Sequence, residues 1–147
     1  HKFADEIYCY EPNKVHFECL IKNLEQYNNV KMYNHAVGNQ DGKIKLTDES
    51  ATQNTRVLFE KGETVIFKMD SMDVSKADMI KIDVEGLEME VLKGASKLLD
   101  SVDFVMIELN NNSKRYGSSN SLIENHLEKL GFKILIKTWP DIVYFKA

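Results

Sequence analysis

Residues 78–99 carry the strongest structural signal in the sequence and read DMIKIDVEGLEMEVLKGASKLL. Asp78 to Asp83 is typical of a strand, and Val84-Glu85-Gly86 predicts the bend that ends it. Beyond the bend, apolar residues recur three and four positions apart, which predicts a helix with one buried face. That apolar stripe consists of Leu87, Val91, Leu92, Ala95, Leu98 and Leu99. A strand that turns into an amphipathic helix is the repeating unit of α/β proteins.

The rest of the chain continues this alternation of strands and helices. Residues 7–10 and 102–109 read as buried strands, and a helix signal follows each of them. Residues 132–137 and 142–145 read as strands whose connection is too short for a crossover helix, so this pair is expected to be antiparallel. Residues 56–67 predict a meander attached to the main sheet. The sequence therefore predicts an α/β fold with a mainly parallel sheet and an antiparallel C-terminal hairpin.

The composition is that of one globular domain. With 147 residues, of which 43% are hydrophobic, a single domain over 1–147 with one substantial core is expected. Nineteen Lys and Arg against 23 Asp and Glu leave a formal charge of −4, which argues against nucleic-acid or anionic-membrane partners. Two cysteines make no disulfide framework, no Cys/His cluster has zinc spacing, and no apolar run could span a bilayer. We expect a cytoplasmic location, and the sequence leaves the oligomeric state open.

Carboxylates stand at the ends of three predicted strands. These are Glu11, the pair Asp83 and Glu85, and Glu108. Ligands of open parallel sheets bind outside the carboxyl ends of the strands, so these side chains are candidates for one site. Each also has a structural interpretation that the sequence leaves open. Glu11 can complement a helix N-terminus, Asp83 can be a helix N-cap worth about 1 kcal/mol, and Glu108 can be a solvated strand end.

Two other polar features have weaker signals. His35 ends the predicted second strand, residues 30–36, and a lone histidine is more often structural than catalytic. The run Asn110-Asn111-Asn112 is typical of a turn. Neither feature predicts chemistry by itself.

The strand, bend and helix within residues 78–99 resemble the signature of the FkbM family of methyltransferases. Residues 80–86 with Glu88, Val91, Leu92, Gly94 and Ala95 are similar to the pattern IKIDVEG-x-E-x-x-VL-x-GA. Other similarities follow in the family's order: Tyr10-Glu11-Pro12-Asn13 to FEPN, Ala36-Val37-Gly38 with Asp41-Gly42 to AVG and DG, Met69-Asp70-Ser71 to LDS, and Ile107-Glu108 to IE. The resemblance extends from Ile7 to about Phe145.

The resemblance implies a class I methyltransferase fold, a Rossmann-like sheet of seven strands whose last strand is antiparallel. It implies S-adenosylmethionine as cofactor and O-methylation of a hydroxyl on a small molecule, sugar or glycan. By the family pattern, Glu11 would hold the cofactor ribose. His35, Ala36 and Val37 would line the adenine.

The same pattern implies that Asp83 and Glu85 face the methionine end of the cofactor or the acceptor. Methyl transfer to a hydroxyl needs a base within about 2.6–3.2 Å of the proton, and Asp83 and Glu108 are the candidates, with His35 third. The reaction requires no metal, and no ligand set is visible. A divalent ion between Asp83 and Glu108 is a minor hypothesis.

The sequence departs from the family at its glycine-rich loop. No G-x-G occurs in the chain, and in the family that loop lies upstream of the FEPN element. We therefore expect an N-terminally truncated domain that lacks the first strand, with a gap between the strand at residues 7–10 and the strand that precedes Asp83. The alternative function is a non-catalytic scaffold or partner-binding module that does not bind the cofactor. A nicotinamide-dependent dehydrogenase is disfavoured because its own glycine fingerprint is missing.

Overall fold

The computed structural model describes residues 4–47, 55–72 and 74–147. The chain forms two compact units, His1–Phe67 and Lys68–Ala147, and each is described by itself. The single domain over residues 1–147 stays a prediction.

The first unit contains a short parallel sheet and a separate mixed sheet. Its elements are β1 (Ile7–Tyr10), α1 (Lys14–Leu24), β2 (Val30–Tyr33), β3 (Ala36–Val37), β4 (Gly42–Leu46), β5 (Val57–Leu58) and β6 (Thr64–Phe67). Strands β1 and β2 pair in parallel, with Tyr10 opposite Tyr33. The other strands form a sheet of their own in the order β3-β6-β4-β5. The meander is therefore not an extension of the main sheet, contrary to expectation.

The break between these two sheets falls inside the strand predicted over residues 30–36. The Nδ2 of Asn34 donates hydrogen bonds to the carbonyl oxygens of Glu11 and Pro12, at 2.8 and 3.1 Å. These bonds turn the chain away from β1 after Tyr33. Strand β3 then pairs with β6, so His35 lies in the connection rather than at a strand end.

The second unit is built on one four-stranded sheet. Its elements are β7 (Met79–Ile82), α2 (Glu88–Gly94), β8 (Phe104–Glu108), α3 (Asn120–Lys129), β9 (Phe132–Thr138) and β10 (Asp141–Lys146), with 3₁₀ turns at Met69–Ser71, Leu98–Asp100 and Asn112–Tyr116. The strand order is β7-β8-β10-β9. Strands β7 and β8 are parallel, and β9 and β10 form the predicted antiparallel hairpin. All six residues of the apolar stripe that begins at Leu87 are buried, as the spacing predicts.

The strand pairing is more mixed than the sequence predicts. Among the described residues, three pairs are parallel and four are antiparallel, divided over three sheets. The expected mainly parallel sheet is therefore wrong for this part of the chain. The meander and the C-terminal hairpin return the chain through short connections, which form antiparallel pairs. In the part that the structure describes, β1 has only β2 as a strand partner and β7 has only β8.

Strand β9 is the outer strand of the second unit's sheet and carries exposed apolar side chains. Leu135 and Ile136 are 53% and 54% exposed, and Trp139 in the hairpin connection is 60% exposed. The three helices of the described chain are too short and too polar to cross a membrane.

Candidate functional site

Glu11 stands at the carboxyl edge of the β1–β2 sheet with one carboxylate oxygen in use. Its backbone N–H donates to the carbonyl of Tyr33, which holds it beside the end of β2. Its Oε1 accepts from the N–H of Asn13 at 2.7 Å, and Nδ1 of His16 lies 4.0 Å from the same oxygen. No described residue donates to Oε2, and the side chain is 31% exposed. The carboxylate is thus held by one oxygen and can accept hydrogen bonds from a ligand with the other.

An aromatic cluster follows the same edge. The rings of Tyr10 and Tyr33 stack with centroids 5.3 Å apart, and His35 meets Phe67 edge-on at 5.2 Å. The hydroxyl of Tyr10 and the Nδ1 of His35 are buried, and neither has a hydrogen-bond partner among the described residues. Burial also raises the pKa of the Tyr10 phenol, so the hydroxyl keeps its proton. The stacked rings give this edge a flat aromatic surface of the kind on which a planar ligand can lie.

Ala36 and Val37 come next in the chain, as the predicted adenine-lining residues. Strand β3 places them opposite Ile66 and Phe67 of β6, which brings Val37 beside the strand end that carries the aromatic ring. Ala36 is 3% exposed, whereas Val37 is half-buried. Val37 therefore has surface to offer a ligand, and Ala36 offers little.

Asp83 and Glu108 lie side by side at the carboxyl ends of β7 and β8. The parallel register sets Ile82 opposite Ile107, so the next residue on each strand is one of the two acids. Burial raises the pKa of Glu108, and the charge of Asp83 and a hydrogen bond shared with it raise the pKa further. Glu108 therefore takes up a proton more readily than an ordinary glutamate.

Two neighbouring side chains complete this acidic pair. The Nζ of Lys81 lies 3.0 Å from Oδ2 of Asp83, and the Nδ2 of Asn110 donates to Oε1 of Glu108 at 3.3 Å. The sequence offered a signal for the lysine, since residues two apart on a strand share a face. The interpretation of Asp83 as a helix N-cap is wrong, because α2 begins five residues later, at Glu88, after the cap residue Leu87.

The bend after β7 is joined to the turn after β8. Glu85 has φ 53° and Gly86 has φ 117°, so two successive residues are left-handed. The Oε2 of Glu85 accepts from Nδ2 of Asn112 at 2.8 Å. A Cβ on Gly86 would lie 2.8 Å from the carbonyl oxygen of Asn112, so only glycine fits there. Glu85 thus has a structural partner, and its expected place at the methionine end of the cofactor stays a prediction.

Two other residues of the family-like motifs organise the backbone. Asn13 is 1% exposed, and its Oδ1 accepts from the N–H groups of Val15 and His16 at the start of α1. Asp70 accepts from the N–H groups of Lys97 and Leu98 at 3.0 Å each. Partial burial opposes ionisation of Asp70, but these bonds outweigh it and lower the pKa of the carboxyl.

Sequence reasoning assigned no role to Asn13 or Asp70. A signal existed for Asn13, because asparagine is a favoured N-cap. None existed for Asp70, whose partners lie 27 and 28 residues away.

The structure brings the predicted residues together in two groups. Glu11 and His35 belong to the first unit, and Asp83, Glu85 and Glu108 belong to the second. Convergence of Glu11 with Asp83 stays a prediction. Within residues 4–47, 55–72 and 74–147, no three His, Cys, Asp or Glu side chains are arranged to hold a metal ion.

Comparison with known proteins agrees with the family-like motifs. Over 111 residues the chain is 30% identical to the hexuronic acid methyltransferase AglP of Haloferax volcanii, a match that covers 70% of this chain and 46% of AglP. The crystal structure of methyltransferase FkbM from Methylobacillus flagellatus superposes with a TM-score of 0.65 at 17% identity, covering 96% of this chain and 36% of that one. That likeness shows a methyltransferase-like α/β fold, and the chain spans about half or less of either protein. The model of the methyltransferase FkbM domain matches residues 3–134, and the chain therefore belongs to that family.

Proposed function

We propose that this chain is an S-adenosylmethionine-dependent O-methyltransferase that acts on a hydroxyl of a sugar, glycan or small molecule. Membership of the FkbM family supports methyl transfer, and the name of the Haloferax relative supports a sugar acceptor. The observation that carries the proposal is that Asp83 and Glu108 stand next to each other at the carboxyl ends of the adjacent parallel strands β7 and β8. Such a pair is suited to take up the proton that the acceptor hydroxyl loses.

The first unit fits the nucleoside part of the cofactor. The free Oε2 of Glu11 can accept hydrogen bonds from ribose hydroxyls, each worth about 1.5–3 kcal/mol because the acceptor is charged. The rings of Tyr10, Tyr33 and His35 stack in succession next to this carboxylate, and a flat adenine can extend that stack. Val37 supplies half-buried apolar surface. When bound, S-adenosylmethionine supplies a methyl group that its sulfonium charge already activates.

The second unit fits the acceptor side of the reaction. Burial and the charge of Asp83 raise the pKa of Glu108, which makes this carboxylate a stronger base than an ordinary glutamate. Lys81 pairs with Asp83 and partly neutralises it. The remaining task of the protein is to hold the hydroxyl oxygen in line and to exclude water.

The acidic pair favours a hydroxyl acceptor over a carboxylate. A hexuronic acid carries both groups. Its carboxylate is already ionised near neutral pH, needs no base and would be repelled by Asp83 and Glu108. A sugar hydroxyl is uncharged and needs the base that the pair provides.

The alternative is a methyltransferase-like scaffold that does not bind the cofactor. One observation favours it: no G-x-G occurs in the sequence. The two functions make opposite predictions for cofactor binding.

Calorimetric titration with S-adenosylmethionine decides between them. We expect the wild-type chain to bind with micromolar affinity, Glu11→Gln to lose that affinity, and Glu18→Gln, an exposed carboxylate on α1, to keep it. Methyl transfer is then measured with radiolabelled cofactor and with a glucuronoside or a glucoside as acceptor. Absence of binding by the wild-type chain would contradict the proposed function and favour the scaffold.

A further inference from the structure

Glu88 is a buried carboxylate that the mechanism above does not use. It lies in the first turn of α2, is 2% exposed, and its Oε1 accepts from the N–H of Gly86 at 2.8 Å. Burial raises its pKa, and the nearby charges of Glu85 and Asp83 raise it further. Burying a carboxylate costs several kcal/mol before compensation, and an apolar side chain of similar size would avoid that cost. Stability alone therefore does not explain a glutamate at this position.

The hydrogen bond of Glu88 spans the most unusual backbone of the second unit. A left-handed conformation at Glu85 costs about 1–2 kcal/mol for a residue with a Cβ. Gly86 is left-handed as well, and its N–H donates to the Glu88 carboxylate. The bend follows Asp83 directly, so a change in its conformation would move the Asp83 side chain relative to Glu108.

We propose that Glu88 is a positioning residue that holds the 84–86 bend through the N–H of Gly86 and thereby keeps Asp83 against Glu108. This inference rests on the proposed function, because it names a further residue for the same reaction. Glu88 does not reach the acceptor and acts only through Asp83. Asn112 supports the bend from the other side through Glu85.

Three variants separate the hydrogen bond from the charge and from the fold. Glu88→Gln keeps an acceptor oxygen and removes the charge. Glu88→Met keeps the length and removes the acceptor. Glu88→Asp keeps the charge but is too short to reach Gly86, and it serves if Glu88→Met fails to fold. The pKa of the Glu108 carboxyl, followed by ¹³C NMR, reports how closely Asp83 faces it, and kcat reports the chemistry.

We expect Glu88→Gln to match the wild type in both measurements. In Glu88→Met or Glu88→Asp, the pKa of Glu108 falls toward that of an ordinary glutamate, because Asp83 has moved away. We expect kcat to fall at least about tenfold in the same variants, since small displacements of a catalytic group are costly.

Two results would overturn the inference. One is a folded Glu88→Met or Glu88→Asp variant in which the pKa of Glu108 is unchanged, whatever happens to kcat. The other is a Glu88→Gln variant that behaves like Glu88→Met, since the acceptor oxygen would then be irrelevant. If the wild type itself transfers no methyl group, the proposed function fails, and the NMR titration alone still decides the role of Glu88.

Discussion

The carboxyl edge of the β1–β2 sheet and that of the β7–β8 pair differ in how many of their polar groups already have partners. At the first edge, one glutamate has a free oxygen, and two buried polar atoms, on Tyr10 and His35, have no partner among the described residues. At the second edge, Asp83 and Glu108 stand next to each other, Lys81 pairs with Asp83, and Asn110 donates to Glu108. The first edge offers a free carboxylate oxygen to a ligand, whereas both carboxylates of the second edge already have side-chain partners. Two similar pairs of parallel strands can therefore carry different functions. The side chains at the strand ends determine whether the edge binds a ligand or provides a base.

Breaking the acidic pair is expected to have the largest effect. Asp83→Asn and Glu108→Gln should each reduce kcat by about 10²–10⁴, the usual contribution of a general base. Because the two carboxyls act as one unit, the double variant should be no worse than the poorer single variant. Cofactor affinity, measured in parallel by calorimetry, should change little in Glu108→Gln. Asp103→Asn, an exposed acid next to the opposite end of β8, is the control, and an equal loss there would refute the assignment.

The second largest effect is expected from a substitution of Glu11 at the carboxyl edge of the β1–β2 sheet. Glu11→Gln should weaken binding of S-adenosylmethionine by about 10- to 100-fold, because the substitution removes the negative charge and one of the two acceptor oxygens. If Glu11→Gln binds the cofactor like the wild type, the first edge does not hold the ribose.

The third prediction concerns the stability of the second unit rather than its activity. Asp70→Ala removes an acceptor of two backbone N–H groups in the second unit and should lower its free energy of unfolding by about 1–2 kcal/mol. The pKa of Asp70 is lowered in the folded state, so its contribution is present above the unfolded-state pKa and is lost as the pH falls through the lower, folded-state value. The difference between variant and wild type in urea unfolding should therefore shrink in acid. The control is Asp100→Ala, which removes an exposed carboxylate from the same part of the chain.

The smallest expected effect is a gain in stability, whereas Asp70→Ala should cause a loss. The pKa of Glu108 is raised in the folded state, so the stability that it contributes is complete below its unfolded-state pKa and is lost as the pH rises through the folded value. Glu108→Gln should therefore raise the free energy of unfolding at about pH 7 by less than about 1 kcal/mol, while it lowers kcat. At a pH below about 4 the variant and the wild type should be equally stable. A variant that is less stable than the wild type at neutral pH would contradict the raised pKa of Glu108.

Much of this architecture can be read from hydrophobic spacing. The buried stripe from Leu87 to Leu99 and the C-terminal hairpin both follow from local pattern, because one buried face and one short connection determine them. The split of the predicted strand 30–36 does not, because it depends on hydrogen bonds from Asn34 to residues more than 20 positions earlier.

The candidate site also has a part that can be predicted from the sequence and a part that cannot. Asp83 and Glu108 can be predicted to be neighbours, since parallel strands align their carboxyl ends. The roles of Asp70 and Glu88 cannot be separated from those of Glu11 and Asp83 by sequence, because all four are acidic residues of the family-like motifs. Only their burial and bonding partners distinguish residues that organise the backbone from residues at the exposed strand ends.

The exposed Trp139 has a practical consequence for all these measurements. It is the chain's only tryptophan, and at 60% exposure it already resembles the solvated side chain of an unfolded protein. Its fluorescence should shift little on denaturation and should report on the hairpin connection rather than on either sheet edge. Conversely, quenching of that emission by added iodide should be strong in the native protein, which makes this side chain a convenient optical marker for any partner that covers the end of β9.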